Sequence, residues 1–325
     1  MKEQNRKVLV TGGAGFIGSN LCEYLVTNDF KVVALDNLAT GHKHNLDAIA
    51  AHPNFQFMEG DIRDIDTCRK AVAGCDFVLH QAALGSVPRS IKDPITSNDV
   101  NVGGFLNMLV ASRDAGVKKM VYAASSSTYG DSKALPKIEE NIGKPLSPYA
   151  ITKFVNELYA DVFYKTYGFN TIGLRYFNVF GRKQDPNGAY AAVIPLFTKQ
   201  LMRKESPTIN GDGTYSRDFT YIDNVIQANV KAMLSTNPEA ENTVFNVAYG
   251  DRTDLNMLIS LLKESLSTYD NEVAQVETIY GPLRAGDVPH SLASIDKAKS
   301  ILGYNPQFNL KAGLDEAVKW YRDNL

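Results

Sequence analysis

The chain of 325 residues, 44% hydrophobic and 22% charged, holds enough apolar material for one large or two smaller globular domains, which excludes a disordered protein. A formal net charge of -2 excludes a global basic field for nucleic acid or anionic lipid, so an anionic ligand has to be met by local groups. No apolar stretch reaches membrane-spanning length, and the polar opening Met1 to Lys7 does not resemble a signal peptide. Cys22, Cys68 and Cys75 lack metal-ligand or redox-pair spacing. The expectation is a cytoplasmic protein with a small-molecule partner, no metal, and no nucleic-acid or membrane partner.

From the start, strand and helix patterns alternate. Lys7 to Thr11 reads as a buried strand and Phe16 to Thr27 as the helix after it. Short apolar runs follow at Lys31 to Leu35, Phe55 to Met58, Phe77 to Leu79, Met120 to Ala124 and Thr171 to Leu174. Helical patterns such as Cys68 to Ala73 and Val100 to Ala115 separate them, a spacing that suits right-handed crossovers in a doubly wound parallel sheet. Beyond about Val179 the rhythm loosens, with turn clusters at Gln184 to Gly188 and Gly211 to Gly213. We therefore expect a first domain over residues 1–178 and a discontinuous lobe over 179–325, with the helix Tyr221 to Leu234 and strand Thr243 to Val247 returning (near 218–249) to the first sheet.

Glycines 12, 15 and 18 fall between the first strand and the first helix. Bare backbone there lets a pyrophosphate approach the amides and the positive helix end, and the last glycine lets helix and strand pack closely. Asp36 ends the second strand, where a carboxylate accepts from ribose hydroxyls and repels a 2′-phosphate, so NAD is favoured over NADP. A turn cap with Asn37 is its plain alternative. Asp61, after the third strand, is placed to meet an adenine amine or to cap a helix.

Ser147-Pro148 precedes Tyr149, serine suiting an N-cap and proline the first helical position. Tyr149 and Lys153 then project from one helix face. The ammonium, the positive helix end and a charged nicotinamide ring all favour the phenolate, so a Tyr149 more acidic than usual is expected to act as base. Ser125, ending a strand and followed by Ser126 and Ser127, is a donor to a substrate oxygen, although serine runs also end strands for structural reasons.

Together with Asp61-Ile62, His80-Gln81-Ala82-Ala83, Arg175-Tyr176-Phe177-Asn178, Arg217-Asp218 and Arg284-Ala285-Gly286-Asp287, these residues resemble the extended short-chain dehydrogenase/reductases, and within them the UDP-sugar 4-epimerases. The segments Gly85-Ser86-Val87-Pro88-Arg89-Ser90 and Ala124 to Gly130 look like the branch acting on UDP-N-acetylglucosamine. The resemblance implies an α/β fold, a Rossmann-type doubly wound parallel sheet with a smaller irregular α/β substrate lobe. It also implies an NAD-dependent isomerase that oxidises a sugar transiently at C4. Cofactor contacts are implied for Gly12, Gly15, Phe16, Ile17, Gly18, Asp36, Asn37, Asp61, Ile62, Gln81, Ala82, Ala83, Tyr149 and Lys153. The catalytic set is Tyr149, Lys153 and Ser125.

For the UDP-sugar, the resemblance implies Asn178, Val193, Thr208 and Asn210 around uridine and diphosphate, and Arg217, Arg284 and Asp287 at diphosphate and ribose. Guanidinium forks pair well with phosphate oxygens. Ser86, Ser125, Ser126, Ser127 and Tyr149 fall at the sugar, with Arg89 assisting. Ser291 matches a place where relatives restricted to glucose and galactose carry tyrosine, so its small side chain leaves room for an acetamido group. Related 4,6-dehydratases and decarboxylases carry acidic residues where Ser127, and in dehydratases Ser126, stand. Those enzymes, and a silent NAD-binding regulator, are the alternatives. The helices Ile95 to Ala115 and Tyr149 to Tyr167 match those that pair relatives into homodimers.

Overall fold

Apolar runs become strands where glycine or polar residues bound them, and the stretches between wind into helices that cover both faces of the resulting sheet. The computed structural model describes residues 6–187, 192–283 and 288–324. In chain order come β1 (Lys7–Thr11), α1 (Phe16–Thr27), β2 (Lys31–Asp36), β3 (Phe55–Glu59), α2 (Ile65–Val72) and β4 (Phe77–His80). Next are α3 (Val87–Lys92), α4 (Pro94–Asn98), a π-turn at Asp99–Gly103, α5 (Gly104–Asp114), β5 (Lys119–Ser125), α6 (Pro148–Tyr167) and β6 (Thr171–Tyr176).

The remainder alternates short strands and helices: β7 (Val179–Phe180), α7 (Val193–Met202), β8 (Thr208–Asn210), β9 (Ser216–Arg217), β10 (Thr220–Tyr221), α8 (Ile222–Leu234) and β11 (Thr243–Val247). They are followed by β12 (Thr253–Asp254), α9 (Leu255–Ser267), β13 (Ile279–Gly281), α10 (Asp296–Leu302) and α11 (Leu310–Asn324).

Among the described residues one seven-stranded sheet forms the frame, in the order β11-β6-β5-β4-β1-β2-β3, every pair parallel. Strand neighbours alternate between two cores: Val8 and Val10 pack on one face of the sheet and Leu9 on the other. A parallel sheet covered on both faces needs such continuous apolar strands. The strand order reverses between β1 and β4, where Thr11 sits level with His80. At such a reversal the loops leaving the two carboxyl ends diverge and open a crevice.

β11 lies beyond β6 at the sheet edge, with Thr243 level with Ile172 and Val247 with Tyr176. The expected helix from Val100 is broken: the π-turn occupies Asp99–Gly103 and regular α-helix begins at Gly104. An apolar periodicity does not register one extra residue in a turn. In the outer lobe, α9 buries Leu258, Ile259, Leu262, Ser265 and Leu266, one helical face, and is capped by the Asp254 carboxylate accepting from the Met257 amide at 2.8 Å. No described helix is long and apolar enough to cross a membrane.

Candidate functional site

The turn after β1 uses its glycines for different reasons. Gly12 has φ +66°, in the left-handed region, and a Cβ there lies 2.8 Å from the Ala82 nitrogen. At Gly18 a Cβ lands 2.0 Å from the Gly12 carbonyl oxygen, so α1 can pack on β1 only with hydrogen in that place. Gly15 is the open one: apart from the Gly12 carbonyl at 3.2 Å nothing meets its Cβ, and its free side faces a cavity of about 400 Å³.

That cavity fills the crevice between β1 and β4. Its wall includes Gly12, Gly15, Phe16, Ile17 and Gly18 at the phosphate turn, and Asp36, Asn37, Asp61 and Ile62 beyond β2 and β3. Gln81, Ala82 and Ala83 after β4 complete the predicted residues there. Sequence reasoning missed Thr40, Leu84, Thr96 and Val100 on the same wall, which come from loops, α4 and the π-turn and carry no motif of their own.

Both carboxylates on this wall already hold local partners. Asp36 accepts from the Ala14 amide at 2.9 Å and the Leu38 amide at 2.8 Å, so it clamps the phosphate turn to the end of β2. A carboxylate offers about four acceptor directions, which leaves capacity for ribose hydroxyls. Asp61 accepts from the Arg63 guanidinium at 2.7 Å and from the Asn37 amide at 2.9 Å, and the Arg63 contact chiefly holds it down at about 2. Gln81 is oriented by accepting from the Tyr176 hydroxyl at 3.1 Å while donating to Asn229 at 3.1 Å.

A second cavity of about 540 Å³ opens beside the first, and the segment Leu84 to Pro88 runs from the wall of one to the wall of the other. Ser125, Ser126, Ser127, Asn178, Arg217 and Ser291 line it. Lys137, Tyr129, Leu146, Ser147 and Val288 line it as well. Asn178 stands at φ +33° and donates to the Asp218 carbonyl at 3.1 Å, an uncommon backbone state for a residue other than glycine.

Val193, Thr208 and Asn210 fall elsewhere. Val193 begins α7, while Thr208 and Asn210 lie on β8, paired with β13, and none of the three lines either cavity. Ser86 caps α3 by accepting from the Arg89 amide at 3.2 Å, so its hydroxyl serves the helix and neither it nor Arg89 lines the second cavity. Arg284 and Asp287 lie outside the described residues.

The start of α6 adjoins the second cavity through Ser147 and Ala150, while Tyr149 and Lys153 are on the wall of neither cavity. Ser147 caps the helix, accepting from the Ala150 amide at 3.1 Å, with Pro148 in the first helical position, so Tyr149 falls in the first turn as the sequence predicts. Its amide donates to the Ser90 hydroxyl at 3.0 Å, and Ser125 lowers the pKa of the Tyr149 hydroxyl. Ser125 also pairs with the Ser127 hydroxyl at 2.8 Å. Lys153 is buried one turn on and donates to the Ala123 carbonyl at 2.8 Å. Asn101 of the π-turn joins the two sides. It accepts from the Leu84 amide at 2.7 Å and donates to the Thr152 hydroxyl, which donates in turn to the Tyr149 carbonyl.

The chain's own groups do not by themselves make Tyr149 acidic. Burial pushes its hydroxyl above the ordinary tyrosine value, and the Ser125 hydrogen bond offsets only part of that. Lys153, turned to a carbonyl and itself desolvated, is held down at about 8. His80 is buried, hydrogen-bonded to the Thr11 hydroxyl at 2.8 Å, and held by burial at about 3, so it stays neutral beside Lys153. The three cysteines are all buried with thiols pushed up by desolvation, which makes them inert.

Comparison with known proteins agrees with this picture. The model of the NAD dependent epimerase/dehydratase family matches residues 8–248. A UDP-N-acetylglucosamine 4-epimerase from Methanobrevibacter ruminantium M1, solved with UDP-N-acetylmuramic acid, superposes with a TM-score of 0.92 at 37% identity, covering 99% of this chain and 100% of that one. A UDP-glucose 4-epimerase from Thermotoga maritima, solved with UDP-glucose, gives 0.89 at 38% identity over 98% and 99% of the two chains. A putative UDP-glucose 4-epimerase of Methanocaldococcus jannaschii is 37% identical over 319 residues, 98% of this chain and 99% of its own length.

Proposed function

Because the chain belongs to the NAD dependent epimerase/dehydratase family, we propose that it interconverts the 4-epimers of a UDP-sugar, with UDP-N-acetylglucosamine and UDP-N-acetylgalactosamine preferred and UDP-glucose and UDP-galactose served more weakly. The observation that carries this reading is the lining of the second cavity. Around Ser125 it offers serine hydroxyls, the Asn178 amide and the cations of Arg217 and Lys137, and among the described residues no carboxylate lines it. A dehydratase or decarboxylase needs further acid or base groups at the sugar, and serines stand at positions 126 and 127.

The first cavity suits NAD: an open glycine turn for the pyrophosphate, Asp36 for the ribose, Asp61 and Ile62 for the adenine, Gln81 to Ala83 along the nicotinamide side. NAD, when bound, supplies a reversible hydride acceptor. With the cofactor in place, Ser125 would donate to the O4 oxygen and Tyr149 would take the O4 proton as C4 is oxidised to the ketone. The positive charges of Lys153 and of the bound cofactor oppose the burial that makes Tyr149 a weak acid in the free protein. Rotation about the diphosphate link then presents the other face of the ketone. Tyr149 would give the proton back to O4 as the ketone is reduced on that face, so nothing would be oxidised overall. Arg217, with Arg284, anchors the diphosphate through the swing.

Ser291, whose backbone amide is tied to the Ser216 carbonyl at 3.0 Å, leaves the acetamido side roomy. We read residues 1–178 with the returning segment as the NAD-binding domain and the rest as the substrate lobe, in a cytoplasmic homodimer. The dimer reading draws on apolar side chains left open on α4 and α6: Ile95 is 73% exposed, Ile151 53%, Leu158 51% and Val162 52%. A second copy of the chain covers that stripe, and a monomer in sedimentation at micromolar concentration counts against it.

The test of the activity incubates purified protein, without added NAD, with UDP-N-acetylglucosamine or UDP-glucose and resolves products by proton NMR. The galacto epimer as product, formed faster from the acetylated sugar, supports the reading. A keto-deoxy or decarboxylated product moves it to the related enzymes, and absence of any product favours a silent NAD binder.

A further inference from the structure

Lys137 belongs to no motif, yet like Lys153 it is a buried charge beside the site. Its side chain is only 5% exposed and lines both the 540 Å³ cavity with Ser125, Ser126 and Ser127 and an adjoining cavity of about 440 Å³ with Leu135, Pro289 and His290. Its backbone is fixed. The amide donates to the Leu292 carbonyl at 2.7 Å, and the carbonyl accepts from the Ser294 amide at 2.9 Å and the Asn246 side chain at 3.0 Å. The residue thus sits on a strap pinned to residues 292–294, on a cavity wall that it shares with Ser291.

An ammonium carries three donors and no acceptor. The hydrogen bond that Lys137 makes with its ammonium runs to the Ser132 carbonyl, and among the described residues it forms no ion pair. Burying a cation with one acceptor is costly unless further oxygens complete its shell. Desolvation accordingly holds it below the ordinary lysine value. The missing oxygens have to enter through the cavity it faces. The diphosphate is better matched by the guanidinium of Arg217, whose fork suits two phosphate oxygens, whereas a compact ammonium suits scattered hydroxyl and acyl oxygens.

We propose that Lys137 is a substrate-binding residue for the sugar half of the nucleotide sugar, donating to its hydroxyl or acyl oxygens in the cavity lined by Ser125, Ser126, Ser127 and Ser291. The proposal rests on the UDP-sugar reading above and adds a sugar-specific cation to it. Calorimetric titration of the NAD-loaded full chain with UDP-N-acetylglucosamine and, separately, with UDP tests it without relying on turnover. Lys137→Met is expected to weaken UDP-N-acetylglucosamine about tenfold while UDP stays within about twofold, the loss of one charge-assisted hydrogen bond. Lys137→Gln, which keeps an amide donor, recovers part of the difference, and retained UDP binding with an unchanged melting profile certifies the fold. Unchanged affinity for the sugar nucleotide overturns the assignment. Equal loss for UDP and for the sugar nucleotide also overturns it, by moving Lys137 to the diphosphate. A wild-type protein that binds both nucleotides but turns over neither sinks the epimerase reading while leaving the Lys137 comparison decisive.

Discussion

Glu157 and Arg175 form a two-pronged buried ion pair, the guanidinium donating to the two carboxylate oxygens at 2.9 and 2.8 Å. Glu157 stands one turn beyond Lys153 on α6 and Arg175 lies on β6, so the pair ties α6 to the sheet. Arg175 also donates to the Glu139 carbonyl at 2.8 Å and lies 4.9 Å over the Tyr129 ring, whose hydroxyl donates to Asn246. Tyr129 in turn lines the second cavity. Arg175→Met leaves the Glu157 carboxylate buried without its partner, and we expect a loss of about 3–5 kcal/mol. Denaturant unfolding measures it. Replacing both residues by apolar ones should recover much of the loss, because the cost lies in the orphaned charge.

Lys153 gives a pH dependence whose sign differs for activity and stability. Burial holds its ammonium at about 8, against an ordinary value of 10.5. Above pH 8 the charge that assists Tyr149 is lost, so kcat/KM should fall on the alkaline side, and Lys153→Arg, always charged, should abolish that limb at reduced activity. Between pH 8 and 10.5 the folded state binds fewer protons at this site than the unfolded chain, so the contribution of Lys153 to stability rises with pH over that window. A kcat/KM profile flat to pH 10 in the wild type contradicts the assignment.

Tyr149→Phe removes the proton acceptor and keeps the ring. Turnover should be abolished, while calorimetry should find UDP-sugar binding, and absorbance of the denatured protein NAD content, largely unchanged. Surviving turnover takes Tyr149 out of the role of base.

Ser291→Tyr tests the size gate at the acetamido side. Overpacking a formed pocket costs about 1–3 kcal/mol, so UDP-N-acetylglucosamine turnover should drop by tenfold or more while UDP-glucose turnover is spared. Equal retention of both sugars removes Ser291 from that role.

Much of this frame was legible because a buried parallel strand is a plain apolar run. Asp36 and Ser125 ended strands in sequence as they do in space. Ser147-Pro148 announced the helix start that brings Tyr149 to the site, since cap chemistry is local. The outer lobe was harder: β7, β9, β10 and β12 are two residues long, too short for any alternation to register. Lys137 was invisible for another reason. Its burial comes from the strap at 292–294 and from Asn246, contacts more than a hundred residues away that no spacing rule encodes. Helix spacing tells that Lys153 shares a face with Tyr149 but not that the ammonium turns to the Ala123 carbonyl.

The phosphate turn separates two roles of glycine that a motif reads as one. A Cβ at Gly18 lies 2.0 Å from the Gly12 carbonyl oxygen, 2.7 Å from its carbon and 3.0 Å from the Gly13 Cα, all backbone, so nothing nearby can yield. Gly18→Ala must push α1 off β1 and is expected to cost about 1–3 kcal/mol, with NAD lost as a consequence of the opened turn. At Gly15 a Cβ meets only the Gly12 carbonyl at 3.2 Å and otherwise projects into the cofactor cavity. Gly15→Ala should therefore keep nearly the wild-type unfolding midpoint when both proteins are stripped of cofactor, yet retain less NAD on purification. Unfolding of the stripped proteins together with NAD content per chain distinguishes the two. Equal destabilisation by both alanines makes the turn a purely structural device, and equal NAD retention at Gly15→Ala removes that glycine from the binding surface.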